Sequence, residues 1–106
     1  MSADVSSGLT VVRRQIEELD ALAGQTLQDL NTVAGTDRVA KWKVRTVALI
    51  INAVGPLEGQ AFARIQPGPS FTNDLVEEFT DLVECYRSPL MILAKRLAAQ
   101  APPPER

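Results

Sequence analysis

Apolar positions recur along the first third of the chain at spacings that alternate three and four. Leu9, Val12, Ile16, Leu19, Ala23, Thr26, Leu30 and Val33 fall on one line, the heptad-like seam of a long amphipathic helix. Ser7 supplies an N-cap and Gly35 a left-handed C-terminal residue. The pattern therefore predicts a first helix over residues 8–34, about 40 Å long at 1.5 Å per residue. Residues 1–7 have nothing to bury and read as frayed. Gly24 costs up to ~1 kcal/mol relative to Ala and marks a bend.

The stretch GTDR, Gly35 to Arg38, reads as the next turn, with Thr36 as N-cap of a second helix from Asp37 to Val54. Val39, Trp42, Thr46, Leu49 and Ala53 share one face of it, widened by Ile50 and Val54. Gly55-Pro56 stops that helix, and Pro56 opens a short third one burying Leu57, Ala61, Phe62 and Ile65. QPGPS breaks the chain again. A fourth helix starts near residues 70–73 and carries Leu75, Phe79, Leu82 and Tyr86 on one stripe. Ser88-Pro89 kinks or tightly breaks it before LMILAKRLAAQ continues. No stretch alternates with the period of a strand. The predicted class is all-α: four to five helices in an antiparallel bundle with a long N-terminal helix and a Pro-kinked C-terminal helix. Residues 1–100 form the domain, and 101–106, APPPER, an extended Pro-rich tail.

Composition narrows the chemistry. The 106 residues suit one domain, and aromatics make up only 5%, so the core is built mostly from Leu, Val, Ile and Ala. The net charge of −2 gives no global field to draw in nucleic acid or an anionic membrane. There is no His, which removes the commonest general base and metal ligand. The single Cys85 excludes an intrachain disulfide and a Cys-rich zinc site, and points to a reduced, cytoplasmic setting. MSADVSSG lacks the regions of a secretory signal. The longest apolar run, Val47 to Val54, falls far short of the roughly 20 residues of a membrane span.

Charge is segregated. Arg38, Lys41, Lys43 and Arg45 face only Asp37 in the second helix. Asp74, Glu77, Glu78, Asp81 and Glu84 face only Arg87 in the fourth. Like charges such as Asp74/Glu78 and Glu77/Asp81 repel by a few tenths of a kcal/mol per pair, so a basic partner is expected, with Lys41 and Arg45 as the nearest source. Three chemistries compete for these charges. Glu78-x-x-Asp81, Asp81-x-x-Glu84 and Glu17-x-x-Asp20 have the spacing by which helical pyrophosphohydrolases hold magnesium over a diphosphate. Any acid-rich helix produces such matches, and a solvated face is the commoner origin. Arg38, Lys41 and Arg45 could line phosphates beside a stacking Trp42, but Trp42 sits where a core residue belongs. Cys85 has no His to activate it and reads as a structural thiol.

The segment DRVAKWKVRTVALIINAVGPLEGQAF, residues 37–62, resembles helical segments that precede nucleotide-binding or TIR-like domains in bacterial proteins. The shared features are Trp42 with Arg45 three later, the run Val47 to Ile51, the break Gly55-Pro56, and Glu58 with Phe62. This resemblance implies an accessory helical module of a bacterial stress or defence system. The sequence departs from the pattern in showing no effector domain after the helices, and no catalytic residue carries over.

These observations lead to a non-enzymatic helical module for protein–protein interaction and oligomerisation, with no catalytic residue, cofactor or metal ligand. Its expected interface is the first-helix stripe, Val12, Ile16, Leu19 and Leu30, together with Lys41 and Arg45 against Glu77 and Asp81. A homo-oligomer or a protein partner is expected, with no membrane and no nucleic acid. If the stripe binds a second chain, Glu at Ile16 and Leu19 should lower the mass and spare the helicity. Two alternatives stand beside this reading. One is a small metal-dependent nucleotide pyrophosphohydrolase using carboxylates of the first and fourth helices. The other is a phage- or plasmid-type regulator that binds a bacterial protein.

Overall fold

A computed structural model describes residues 5–69 and 72–100. Four helices account for most of them: α1 (Val5–Asp29), α2 (Thr32–Ala53), α3 (Pro56–Ala63) and α4 (Leu75–Gln100). The class is all-α, and among the described residues there is no strand. The predicted tail, 101–106, lies outside the described residues.

The first boundary differs from the sequence reading. α1 ends at Asp29 and α2 begins at Thr32, so GTDR lies inside a helix. Leu30 takes a left-handed φ of 58°, a conformation that strains a residue with a Cβ. Local polar groups hold it there. Asp29 Oδ1 accepts from the Asn31 amide at 3.0 Å, and Asn31 Oδ1 accepts from the Ala34 amide at 3.1 Å as the N-cap of α2. Gly35 serves closeness, not a turn. A Cβ there would collide with the Thr26 side chain and lie 3.0 Å from the Phe79 ring. The first helix also starts earlier than expected, at Val5, and runs through Gly24 without a break.

α1 packs against both α2 and α4, and α3 packs against α2. Gly8 lies against Ala53, Gln15 against Thr46 and Thr26 against Gly35, which fixes one antiparallel register along α1 and α2. Asp20 meets Arg87 across α1 and α4, while Phe79 lies near Gly35 and Thr26, so that pair is antiparallel too. The molecule is elongated, 51 × 28 × 20 Å.

The core is a band of Leu, Val, Ile and aromatic residues. Val12, Ile16 and Leu19 of α1 meet Val39, Trp42 and Ile50 of α2 and Phe79, Val83, Leu90 and Leu93 of α4. All four helices converge on Trp42, which is fully buried. Its ring stands edge-on to Phe62 of α3, centroids 5.9 Å apart, and tilted to Tyr86 of α4 at 6.2 Å. Its Nε1 donates to the Gln15 carbonyl of α1 at 3.1 Å. The buried Gln15 side chain is satisfied in turn by the Thr46 hydroxyl at 3.2 Å. In α3, Phe62 is buried, but Leu57 and Ala61, expected inside, face out.

α4 starts where Asp74 Oδ1 accepts from the Val76 and Glu77 amides at 2.9 and 3.2 Å. Glu77 and Glu78 in its first turn suit the positive end of the helix dipole. Pro89 lies inside α4 without ending it, so the Ser88-Pro89 restart does not occur. Buried Leu90, Leu93 and Leu97 continue the apolar stripe beyond the proline. That packing sustains a helix whose local bonding Pro interrupts.

Candidate functional site: an acid-rimmed groove

α3 has eight residues against 22 in α2. At 1.5 Å per residue it spans about 12 Å, and its contacts fall on the middle and C-terminal half of α2, at Trp42 and Ile51. The seam between the N-terminal parts of α2 and α4 is left open beside Pro67, Gly68 and Pro69. A groove of about 640 Å³ lies there. Thr32, Val33 and Thr36 form its α2 wall. Phe79, Leu82 and Cys85 give α4's apolar contribution, and Glu78 and Asp81 its acidic one. Val33 and Leu75 line it while remaining 80% and 62% exposed.

The predicted interface residues divide. Val12, Ile16 and Leu19 are 0%, 7% and 0% exposed and belong to the chain's own core. α2 and α4 cover these three, so the expectation that they face a second chain is corrected. Leu30 is exposed at the turn between α1 and α2. Lys41 and Arg45 lie on the outer face of α2, and Glu77 and Asp81 are exposed on α4. The expected relief of the α4 acids by α2 does not occur within the chain. Lys41 Nζ pairs with Asp37 Oδ2 in its own helix at 3.0 Å. The cross-helix pairs are instead Arg87 with Asp20 at 2.8 Å and Arg96 with Glu58. Glu84 accepts from the Ser88 hydroxyl at 2.6 Å. Among the described residues, Glu77, Glu78, Asp81 and Arg45 form no ion pair.

The geometry bears on the competing chemistries. Among the described residues, no three His, Cys, Asp or Glu side chains are grouped to hold a metal ion. Asp20, which the hydrolase reading needs beside Glu78 and Asp81, is held by Arg87. Trp42 is sealed in the core and cannot stack on a base. Burial pushes the Cys85 thiol above its usual pKa, with nearby Lys43 opposing that rise, so the group stays protonated at neutral pH. Lys43 is itself committed: its Nζ donates to the Ile65 carbonyl at 2.6 Å and sits 4.8 Å from the centre of the Tyr86 ring. Burial raises the Tyr86 pKa as well.

No protein-family model matches the chain, and no curated protein or solved structure shows significant similarity to it. No helix among the described residues is long and apolar enough to cross a membrane.

The sequence pattern puts Leu75 on an inward stripe and Val33 on the α1 seam, and the groove they line is hidden in it. The available signal was length. PLEGQAFA between two breakers is too short to cover a helix of more than twenty residues.

Proposed function

We propose that the chain is a non-enzymatic helical module for protein–protein interaction and oligomerisation, and that the groove between α2 and α4 is its binding surface. One observation carries this reading. The α1 stripe is consumed in the core, while Val33 and Leu75 stay exposed in a groove bordered by the ion-pair-free acids Glu78 and Asp81. Apolar side chains exposed in a concave surface beside unpaired charges have the make-up of a helix-accepting interface. The acids add orientation more than affinity, because exposed pairs contribute only about 0–1 kcal/mol each. An accessory place in a bacterial stress or defence system, as the resemblance of residues 37–62 implies, is part of the same proposal.

The test is sedimentation velocity over a wide concentration range, on the natural chain and on Val33→Glu/Leu75→Glu. Both positions are mostly exposed, so the double variant should keep its helicity and melting temperature. Its self-association should weaken by at least about tenfold. A natural chain that stays monomeric at every concentration contradicts the oligomerisation reading. So does an oligomer that the double variant leaves intact.

A further inference from the structure

The groove needs an occupant that is apolar at its centre and basic at its edges, and the chain itself carries such a surface. On α2, Lys41, Val44, Arg45 and Ala48 follow one another at i, i+3, i+4 and i+7, so they share one helix face. That face is opposite the buried Val39, Trp42, Thr46 and Ile50, and all four of its residues are exposed. Val44 is 72% exposed, an apolar side chain between two cations with nothing among the described residues to cover it. Arg45 has no acidic partner among the described residues, and the one partner of Lys41 is the exposed Asp37 a turn earlier.

We infer that the groove takes the Lys41/Val44/Arg45 face of α2 from a second copy of this chain. Val44 enters between Val33, Leu75 and Leu82, while Lys41 and Arg45 reach Glu78 and Asp81. This rests on the groove being an interaction surface and adds what fills it. Arg45, Glu78 and Asp81 find in the neighbouring copy the opposite charge that their own fold withholds, and Lys41 adds it to its exposed pair with Asp37. Each exposed valine or leucine gains apolar cover. Val33 and Val44 stand eleven residues apart on α2, about 16 Å along its axis at 1.5 Å per residue, so the two surfaces occupy different lengths of the helix and neither blocks the other within one chain. The contact is heterologous, and it closes into a dimer only if both copies donate and accept around a two-fold axis. Complementary charge sets the pairing direction and speeds encounter, so association should weaken as salt rises.

A charge-exchange experiment tests the inference. Lys41→Glu/Arg45→Glu makes both surfaces of a copy acidic, and Glu78→Lys/Asp81→Lys makes both basic. Each variant alone should self-associate at least about tenfold more weakly than the natural chain. An equimolar mixture should regain most of the lost association, because the acidic α2 of one variant now fits the basic groove of the other. Circular dichroism on each variant separates this loss from unfolding, and recovery on mixing could not come from misfolded protein. Adding Glu17→Lys/Glu18→Lys to the first variant returns the net charge to −2 while both of its surfaces stay acidic, and it should restore nothing. Association that depends on Val33 and Leu75 but ignores the α2 reversals overturns this docking, assigns the groove to another segment and leaves the interaction reading standing. Restoration by the added Glu17/Glu18 changes also overturns it, because bulk charge would then be the cause.

Discussion

Leu19→Glu alone is expected to abolish cooperative folding. Leu19 is fully buried where α1 faces the other helices, in one cluster with Val39, Trp42 and Leu90. Removing it forfeits the burial of a large aliphatic side chain, about 2–3 kcal/mol. Leaving a carboxylate in its place costs several kcal/mol more, whether the group stays charged or takes up a proton. Arg87, the α4 cation beside the next residue of α1, is already engaged with Asp20 on the exposed side. A domain of this size is stable by about 5–15 kcal/mol, so one such substitution removes most of the margin. A thermal melt followed by circular dichroism reads the outcome. A sharp helical transition at a lower mass would show that the α1 stripe had been an interchain surface. Val33→Glu, on the same sequence line but 80% exposed, should melt like the natural chain.

Trp42→Ala should cost about 3–5 kcal/mol, the range for large aromatic truncations in packed cores. The substitution does more than empty a volume. It deletes two of the three ring contacts among Trp42, Phe62 and Tyr86, leaving only Phe62 with Tyr86 at 6.0 Å. It strips the Gln15 carbonyl of its buried donor, and an unsatisfied buried polar group carries its own penalty of about 1–3 kcal/mol. α3 depends on this site most. It is short, and Phe62 is its one large buried side chain. Urea unfolding monitored by helical circular dichroism gives the free-energy difference directly. A loss below about 1 kcal/mol would mean that Trp42 is not the common contact of the four helices.

Much of the core was legible in the sequence because helical periodicity records burial. Val12, Ile16, Leu19, Trp42, Thr46, Phe79 and Tyr86 lie inside, on the faces their spacing indicated. The first turn was misread because Gly35 and Asn31 compete as punctuation. A glycine close to the end of a periodic stretch signals a helix end, yet this one is a contact residue that lets α2 approach Thr26 of α1. The stronger signal was Asn31, whose side chain caps α2. Moving the turn five residues carries Leu30 and Val33 off the buried seam and exposes both. What a helix face packs against cannot be read from its own period. The α1 stripe could serve a neighbouring copy or the same chain equally well by pattern, and the tertiary contacts decide for the chain. The segregated charges were visible as composition. That α2 and α4 do not neutralise each other within one molecule follows from where Lys41 and Arg45 stand, on the outer face of α2 opposite the residues it buries.

Cys85 provides the most direct measurement of whether the groove is the interaction surface. It is the chain's one thiol and lines the groove beside Leu82. Its alkylation rate, followed at mildly alkaline pH to offset the raised pKa, reports access without any substitution. The rate should fall as protein concentration rises through the range in which sedimentation shows association, and it should recover in high salt or in Val33→Glu/Leu75→Glu. An alkylation rate that stays constant while the chain associates would place the contact elsewhere and contradict the groove's role.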